Sequence, residues 1–154
     1  MEIKTKIDAE DGKQELLITR EFDLPVDLLF KAHIEPEIVE EWMGTKVLKL
    51  EAKKHGSWQF VTTDPHGNKH GFNGVIHEYV PDQKITRTFE MENSPFPPQL
   101  EFLEFESLGE EKSKLTMHIV FKSSSLRDQL LKMPFAQGIN IAHNRLQETA
   151  KKFK

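Results

Sequence analysis

The sequence predicts an α+β fold in which an antiparallel sheet curves around one long C-terminal helix. Three observations carry that prediction. A strand near the N-terminus is followed by two short helical segments. From Thr45 onward the hydrophobic period changes to that of strands, with turn signals between successive segments. After Ser123 the period becomes helical and stays so to the end of the chain. With the first strand included, the sheet is expected to hold about six or seven strands. Packing the apolar stripe of the helix on one face of the sheet is the simplest arrangement of these parts.

Each element has its own warrant. "QELLITREFDLP" reads as a strand because Ile18, Arg20 and Phe22 share a face, and Pro25 limits its continuation. "EIKTKID" before it can add a further strand segment, with "EDG" as the turn. "VDLLFKAHI" places Val26, Leu29, Phe30 and Ala32 at helical spacing after Pro25, which suits a first helical position. "PEIVEEWMG" repeats the design, with Pro36 to start it, Ile38, Val39 and Trp42 as its inner face and Gly44 to end it.

"KVLKLEA", "SWQFVTT", "HGFNGVIHEYV", "KITRTFEM", "LEFLEFESL" and "KLTMHIVFK" are strand-like, with "KHG", "DPHGN", "PDQ", "NSPFPPQ" and "GEEKS" as turns. The spacing suits an antiparallel meander. Leu115, Met117, Ile119 and Phe121 alternate most cleanly, whereas a break of phase between Phe102 and Leu103 predicts a bulge. "SSSLRDQLLKM" opens on serines fit for an N-cap, and Pro134 interrupts or restarts the helix. Beyond it Phe135, Ile139, Ala142, Leu146 and Phe153 lie near one stripe. Gly138 shares that stripe; a close approach to the sheet, or room for a ligand, is expected there.

The chain has 154 residues, which fits one domain, and a net charge of -4. Lysines and glutamates are mixed without a basic block, which argues against nucleic acid as the main partner. The absence of cysteine excludes disulfides, thiolate metal sites and cysteine nucleophiles. No signal peptide is expected from "MEIKTKIDAEDGKQ", and no apolar run approaches a membrane span. A cytoplasmic protein is the expectation.

Candidate chemistry is sparse. "EPEIVEEWMG" packs Glu35, Glu37, Glu40 and Glu41 together, but with Ile38, Val39 and Trp42 inward the glutamates turn mostly to water. Glu37 also lies in the first turn, where the helix dipole favours negative charge. The cluster reads as scaffolding. His66 and His70 with Asp64 could suggest a metal site, but they fall at a glycine-containing hairpin tip, where two imidazoles and one carboxylate need not converge as a metal site requires. No nucleophile elbow and no glycine-rich phosphate loop occurs. Charges on apparently apolar faces say more. Arg20 lies between Ile18 and Phe22, Arg87 between Ile85 and Phe89, and Glu78 between Ile76 and Val80. Either they are polar anchors in an apolar cavity, or they form an internal Arg–Glu pair, or their strand face turns to solvent. The 11 phenylalanines suit a packed core and an aromatic-lined pocket equally well. Phe96, between prolines, either covers a cavity mouth or stiffens a connection.

The frame "ITREFDLP…LFKAHIEPEIVEEWMG", "HGSWQF", "GVIHEYVPDQKI", "GINIAHNRLQETAKKF" resembles the bacterial proteins related to the C-terminal domain of the heat-shock chaperone ATPase activator, within the START and birch-pollen-allergen (SRPBCC) superfamily. The resemblance runs from about Gln14 to Phe153. Two loops depart from the family pattern: "EWMGT" stands where relatives often have a tryptophan pair and Gly-Pro, and "KHGSW" where they often have Pro-Gly-Gly.

The resemblance implies a helix-grip fold with a cavity between the sheet and the C-terminal helix. Relatives bind lipids, sterols, polyketides or flavonoid-like aromatics there. In this chain the sheet would contribute Trp58, Phe60, Phe72, Ile76, Phe89, Phe102, Met117 and Ile119. The helices would contribute Trp42, Phe135, Gly138, Ile139, Ala142 and Leu146, with Arg20, Glu78 and Arg87 as polar groups. A binder of an apolar or aromatic small molecule, with no cofactor, is the first expectation. A co-chaperone-like module that meets a heat-shock chaperone is the second. An enzyme of the cyclase or hydrolase type comes last, since no coherent acid–base or nucleophile set is visible.

Overall fold

A computed structural model describes residues 3–154. Two N-terminal strands, β1 (Lys6–Asp8) and β2 (Glu15–Phe22), lead into α1 (Val26–Ile34) and α2 (Pro36–Met43). Six strands follow: β3 (Lys46–Leu50), β4 (Ser57–Thr63), β5 (Lys69–Val80), β6 (Lys84–Met91), β7 (Gln99–Gly109) and β8 (Lys112–Val120). The chain closes with α3 (Ser124–Lys132) and α4 (Phe135–Lys151).

All eight strands join one antiparallel sheet in the order β1-β2-β8-β7-β6-β5-β4-β3. The meander from β3 to β8 is therefore extended by β2, which pairs with β8 from Glu15↔Val120 to Phe22↔Ser113. The count is eight strands because "EIKTKID" does pair, through Lys6↔Thr19. The two short helices and α4 pack on one face of this sheet, a helix-grip arrangement.

Local chemistry places the helix ends as the sequence predicts. Gly44 adopts φ 62° and stops α2 in the left-handed region that glycine enters without strain. Ser123 caps α3, its Oγ accepting from Leu126 N at 3.2 Å. Pro134 separates α3 from α4.

The core lies between the sheet and the helices. Leu16, Ile18 and Phe22 of β2 meet Leu29, Phe30 and Ala32 of α1, Ile38 and Val39 of α2, and Leu146 and Ala150 of α4. Trp42 is fastened inside this core, donating from Nε1 to Ala32 O at 2.7 Å.

Two expectations about strand phase are corrected. No bulge occurs between Phe102 and Leu103; pairing with β8 runs unbroken from Leu100 to Ser107 and shifts only before Gly109. Glu101, Leu103 and Phe105 therefore point inward and Phe102 outward, where its ring stacks on His118 at 5.7 Å. A bulge falls instead in β5, between Ile76 and Glu78. It leaves Ile76 inside and turns Glu78 out to solvent, where it pairs with Lys84 at 3.1 Å.

Candidate functional site

The inward face of the sheet and the helices do not fill all the space between them. A partly open cavity of about 430 Å³ remains. Its floor comes from alternate residues of neighbouring strands: Phe60 on β4, Arg87, Phe89 and Met91 on β6, Gln99 and Glu101 on β7, and Met117 and Ile119 on β8. Period-two alternation on paired strands puts all of these on one face. Phe135, Ile139, Ala142 and His143 of α4 form the roof, with Leu130 and Met133 from the α3 end. His33, Val39, Trp42 and Met43 close the far wall. Phe96 and Pro97 of the β6–β7 loop stand at the cavity, so the proline-framed phenylalanine is part of its wall.

Polar groups in this lining are few and already organised. Arg87 and Glu101 are register partners across β6 and β7, and Arg87 Nε donates to Glu101 Oε1 at 2.9 Å. Gln99 Nε2 donates to the other carboxylate oxygen at 2.8 Å. The Arg87 guanidinium also lies over the Trp58 ring, 5.2 Å from its centroid, a cation–π contact. Its terminal nitrogens make no hydrogen bond among the described residues.

Both cavity histidines are uncharged at neutral pH. Burial pushes the His33 imidazole from its ordinary 6.5 down to about 4, against a smaller opposing effect of its backbone hydrogen bond, with nearby Arg87 adding to the depression. Burial likewise pushes His143 down to about 3, helped by the proximity of His33 and Arg20. His33 Nδ1 lies 2.9 Å from Leu29 O, which can only accept, so Nδ1 carries the proton and Nε2 keeps its lone pair. His143 Nδ1 meets the Thr5 hydroxyl at 3.0 Å.

The structure brings Trp42, Phe60, Arg87, Phe89, Met117, Ile119, Phe135, Ile139 and Ala142 together around one space. The other expected residues lie elsewhere. Arg20 points inward but is held between β2 and α4, donating to Thr5 Oγ1 at 3.2 Å and Asn140 Oδ1 at 3.4 Å. Trp58 is buried beneath Phe60 and Phe89, at ring separations of 4.8 and 5.7 Å. Phe72 packs against Phe89 at 5.6 Å without reaching the cavity. Ile76 and Leu146 are core residues. Glu78 and Phe102 face outward for the reasons of strand phase given above. Gly138 is exposed and outside the cavity lining, and nothing lies within 4 Å of where its Cβ would stand, so a close approach to the sheet does not explain it.

Sequence reasoning missed His33, Gln99, Glu101 and His143. A signal for Glu101 was present: Glu101, Leu103 and Phe105 share a period of two, as do Leu115, Met117 and Ile119 opposite them.

Two other features stay apart from the cavity. At the β4–β5 turn Asp64 Oδ1 accepts from the backbone of His66 and Asn68, both at 2.9 Å, while Oδ2 meets His70 Nε2 at 2.9 Å. This is an exposed turn held by an aspartate. On α2, Glu40 Oε2 accepts from Val47 N at 2.9 Å and Glu41 pairs with Lys152. The acidic cluster is scaffolding, but it ties α2 to β3 and α4 where free solvation was expected.

A curved sheet gripping a long helix over an apolar cavity defines the SRPBCC class of proteins. Residues 23–151 match the family model described as Activator of Hsp90 ATPase homolog 1-like protein, and the chain belongs to that family. No curated protein matches the sequence.

Solved bacterial structures share the fold. A Rhodobacter sphaeroides protein superimposes with a TM-score of 0.86 at 19% identity, over 97% of this chain and 99% of that one. A protein from Arthrobacter aurescens gives 0.85 at 16% identity, over 96% and 91% of the two chains. One from Staphylococcus epidermidis gives 0.81 at 21% identity, over 97% and 95%.

Proposed function

We propose that this protein binds an apolar or aromatic small molecule, of lipid, sterol, polyketide or flavonoid-like chemistry, between its sheet and α4. The observation that carries the reading is the cavity of about 430 Å³, walled by aromatic and aliphatic side chains around one ion pair. Space of that size and character is what small-molecule sites offer. Apolar walls supply affinity of about 25 cal/mol per Å² buried, less the costs of ordering. The polar groups set orientation.

We infer binding without turnover. The lining holds no serine or cysteine nucleophile, and its carboxylate is tied to Arg87 and Gln99. A cytoplasmic location agrees with a cysteine-free chain.

The test is titration of isotope-labelled protein with lipids, sterols and flavonoid-like aromatics, following backbone amide shifts. Saturable shifts in residues 139–143 and in β6 are the expected result, abolished in Ala142→Trp, which fills the space. A panel that leaves these amides unmoved overturns the reading. A second reading rests on the family description, which names an Hsp90 ATPase activator homologue. It expects this protein to bind and stimulate that chaperone's ATPase directly, and an unchanged ATPase rate removes it.

A further inference from the structure

We propose that the cavity selects uncharged aromatic molecules bearing a carbonyl-type hydrogen-bond acceptor, and rejects the corresponding carboxylates. The proposal rests on the binding function given above and adds its charge selectivity.

An arginine in an apolar pocket ordinarily marks an anion site. Here that role is taken internally. Glu101 stands directly opposite Arg87 in the sheet register, 2.9 Å from its Nε. Gln99 fixes the remaining carboxylate oxygen from 2.8 Å. Glu101 is 4% exposed, so its negative charge is part of the wall and is not free to swing into solvent.

The other titratable groups of the lining add no positive charge. His33 gives its only proton to Leu29 O. His143 engages the Thr5 hydroxyl, and burial keeps both rings neutral. The lining therefore sums to zero charge.

A ligand carboxylate brought to Arg87 would place a second negative charge beside Glu101 in a poorly hydrated space. Nothing in the lining compensates it, and an uncompensated charge in such a setting is strongly disfavoured. A ketone, ester or quinone oxygen meets a different situation. It can accept from the Arg87 terminal nitrogens, which lack partners among the described residues, without upsetting the charge balance. Phe60, Phe89, Phe135 and Trp42 supply the surface for rings. Repelling the acid while accepting the neutral isostere is specificity by charge.

The experiment compares acetylnaphthalene with naphthoate substituted at the same ring position. The two are nearly isosteric and differ by a full charge at pH about 7.5. Dissociation constants come from amide shifts of the wild-type protein and of Glu101→Gln, which removes the wall charge but keeps an acceptor for Arg87. In the wild type the ketone is expected to bind more tightly by about tenfold or more. In Glu101→Gln the ratio is expected to move toward the acid by about tenfold or more.

Wild-type protein that binds naphthoate as tightly as the ketone overturns the proposal and leaves the binding function standing. So does an unchanged ratio in Glu101→Gln. Cavity amides that respond to neither probe overturn the proposal, and the binding function is then decided by the wider panel of lipids and sterols. Should the variant fail to fold, methyl naphthoate decides with the wild type alone. It is expected to bind like the ketone, and an ester no tighter than its acid sinks the idea.

Discussion

Arg87 and Glu101 face one another across β6 and β7, with Nε and Oε1 2.9 Å apart and side-chain exposures of 16% and 5%. Their pairing satisfies two charges that neither strand could bury alone. Removing one partner leaves the other stranded. Arg87→Met and Glu101→Leu are each expected to destabilise the fold by about 3 kcal/mol, and the double variant to recover most of that loss. Urea denaturation of the four proteins measures the coupling. Additive single effects would show that the pair carries no stability of its own.

The buried histidines set an acid limit on stability. Both rings have folded-state values far below their ordinary 6.5, about 4 for His33 and about 3 for His143. In the window between, the unfolded chain binds protons that the native chain does not, so stability rises with pH there. The contribution is complete above 6.5 and is lost as pH falls through 4 and then 3. His33→Gln should flatten the dependence of Tm on pH across the upper part of that window. A wild-type Tm that does not fall between pH 6.5 and 4 contradicts the assignment.

The elements of this fold were legible because their signals are local. Gly44, Ser123 and Pro134 mark helix boundaries by backbone chemistry alone, and β8 shows its inner face by strict alternation. The inner face of α4 was legible only in part. Its apolar residues are visible in the sequence, yet Asn140, His143 and Gln147 are buried beside them. Each is polar and each is satisfied at long range. Asn140 Oδ1 accepts from the backbone of Lys4 and Thr5 at 3.0 and 3.1 Å, and Gln147 Oε1 accepts from Asp23 N at 2.8 Å. Partners more than a hundred residues away leave no trace in local periodicity. The side to which Glu78 turns was hidden for another reason. One extra residue in β5 reverses every side chain beyond it, and nothing in "VIHEYV" announces the insertion.

Trp42 anchors α2 by a single hydrogen bond, from Nε1 to Ala32 O at 2.7 Å, while also walling the cavity. Trp42→Phe keeps much of the ring and removes the donor, leaving a carbonyl of α1 without this partner. Stability should fall by about 1–3 kcal/mol. The ring-edge contact with His33, 5.6 Å between centroids, should be weakened too. The His33 ring resonances should therefore shift together with the loss of Tm. A full loss of stability with an unmoved His33 spectrum would place the effect in the core alone.

Two glycines of similar appearance in the sequence should respond in opposite directions to alanine. Gly74 lies in β5 opposite Trp58, and a Cβ there would stand 1.9 Å from Thr88 O and 2.6 Å from Trp58 Nε1. The first of these atoms is backbone and cannot step aside. The second belongs to a buried indole wedged between Phe60 and Phe89. Gly74→Ala must push β6 away or eject the indole that supports Arg87, so it should destabilise by several kcal/mol, about 3 or more. Gly138 sits inside α4 with open space where its Cβ would be. Alanine there lowers the entropy of the unfolded chain and raises helix propensity, so Gly138→Ala should stabilise by about 1 kcal/mol. Paired thermal and urea melts of the two variants make the comparison. A destabilised Gly138→Ala would mean that α4 makes a close contact near Gly138 that this structure lacks, and a tolerated Gly74→Ala would mean that the Trp58 indole is not fixed against β5.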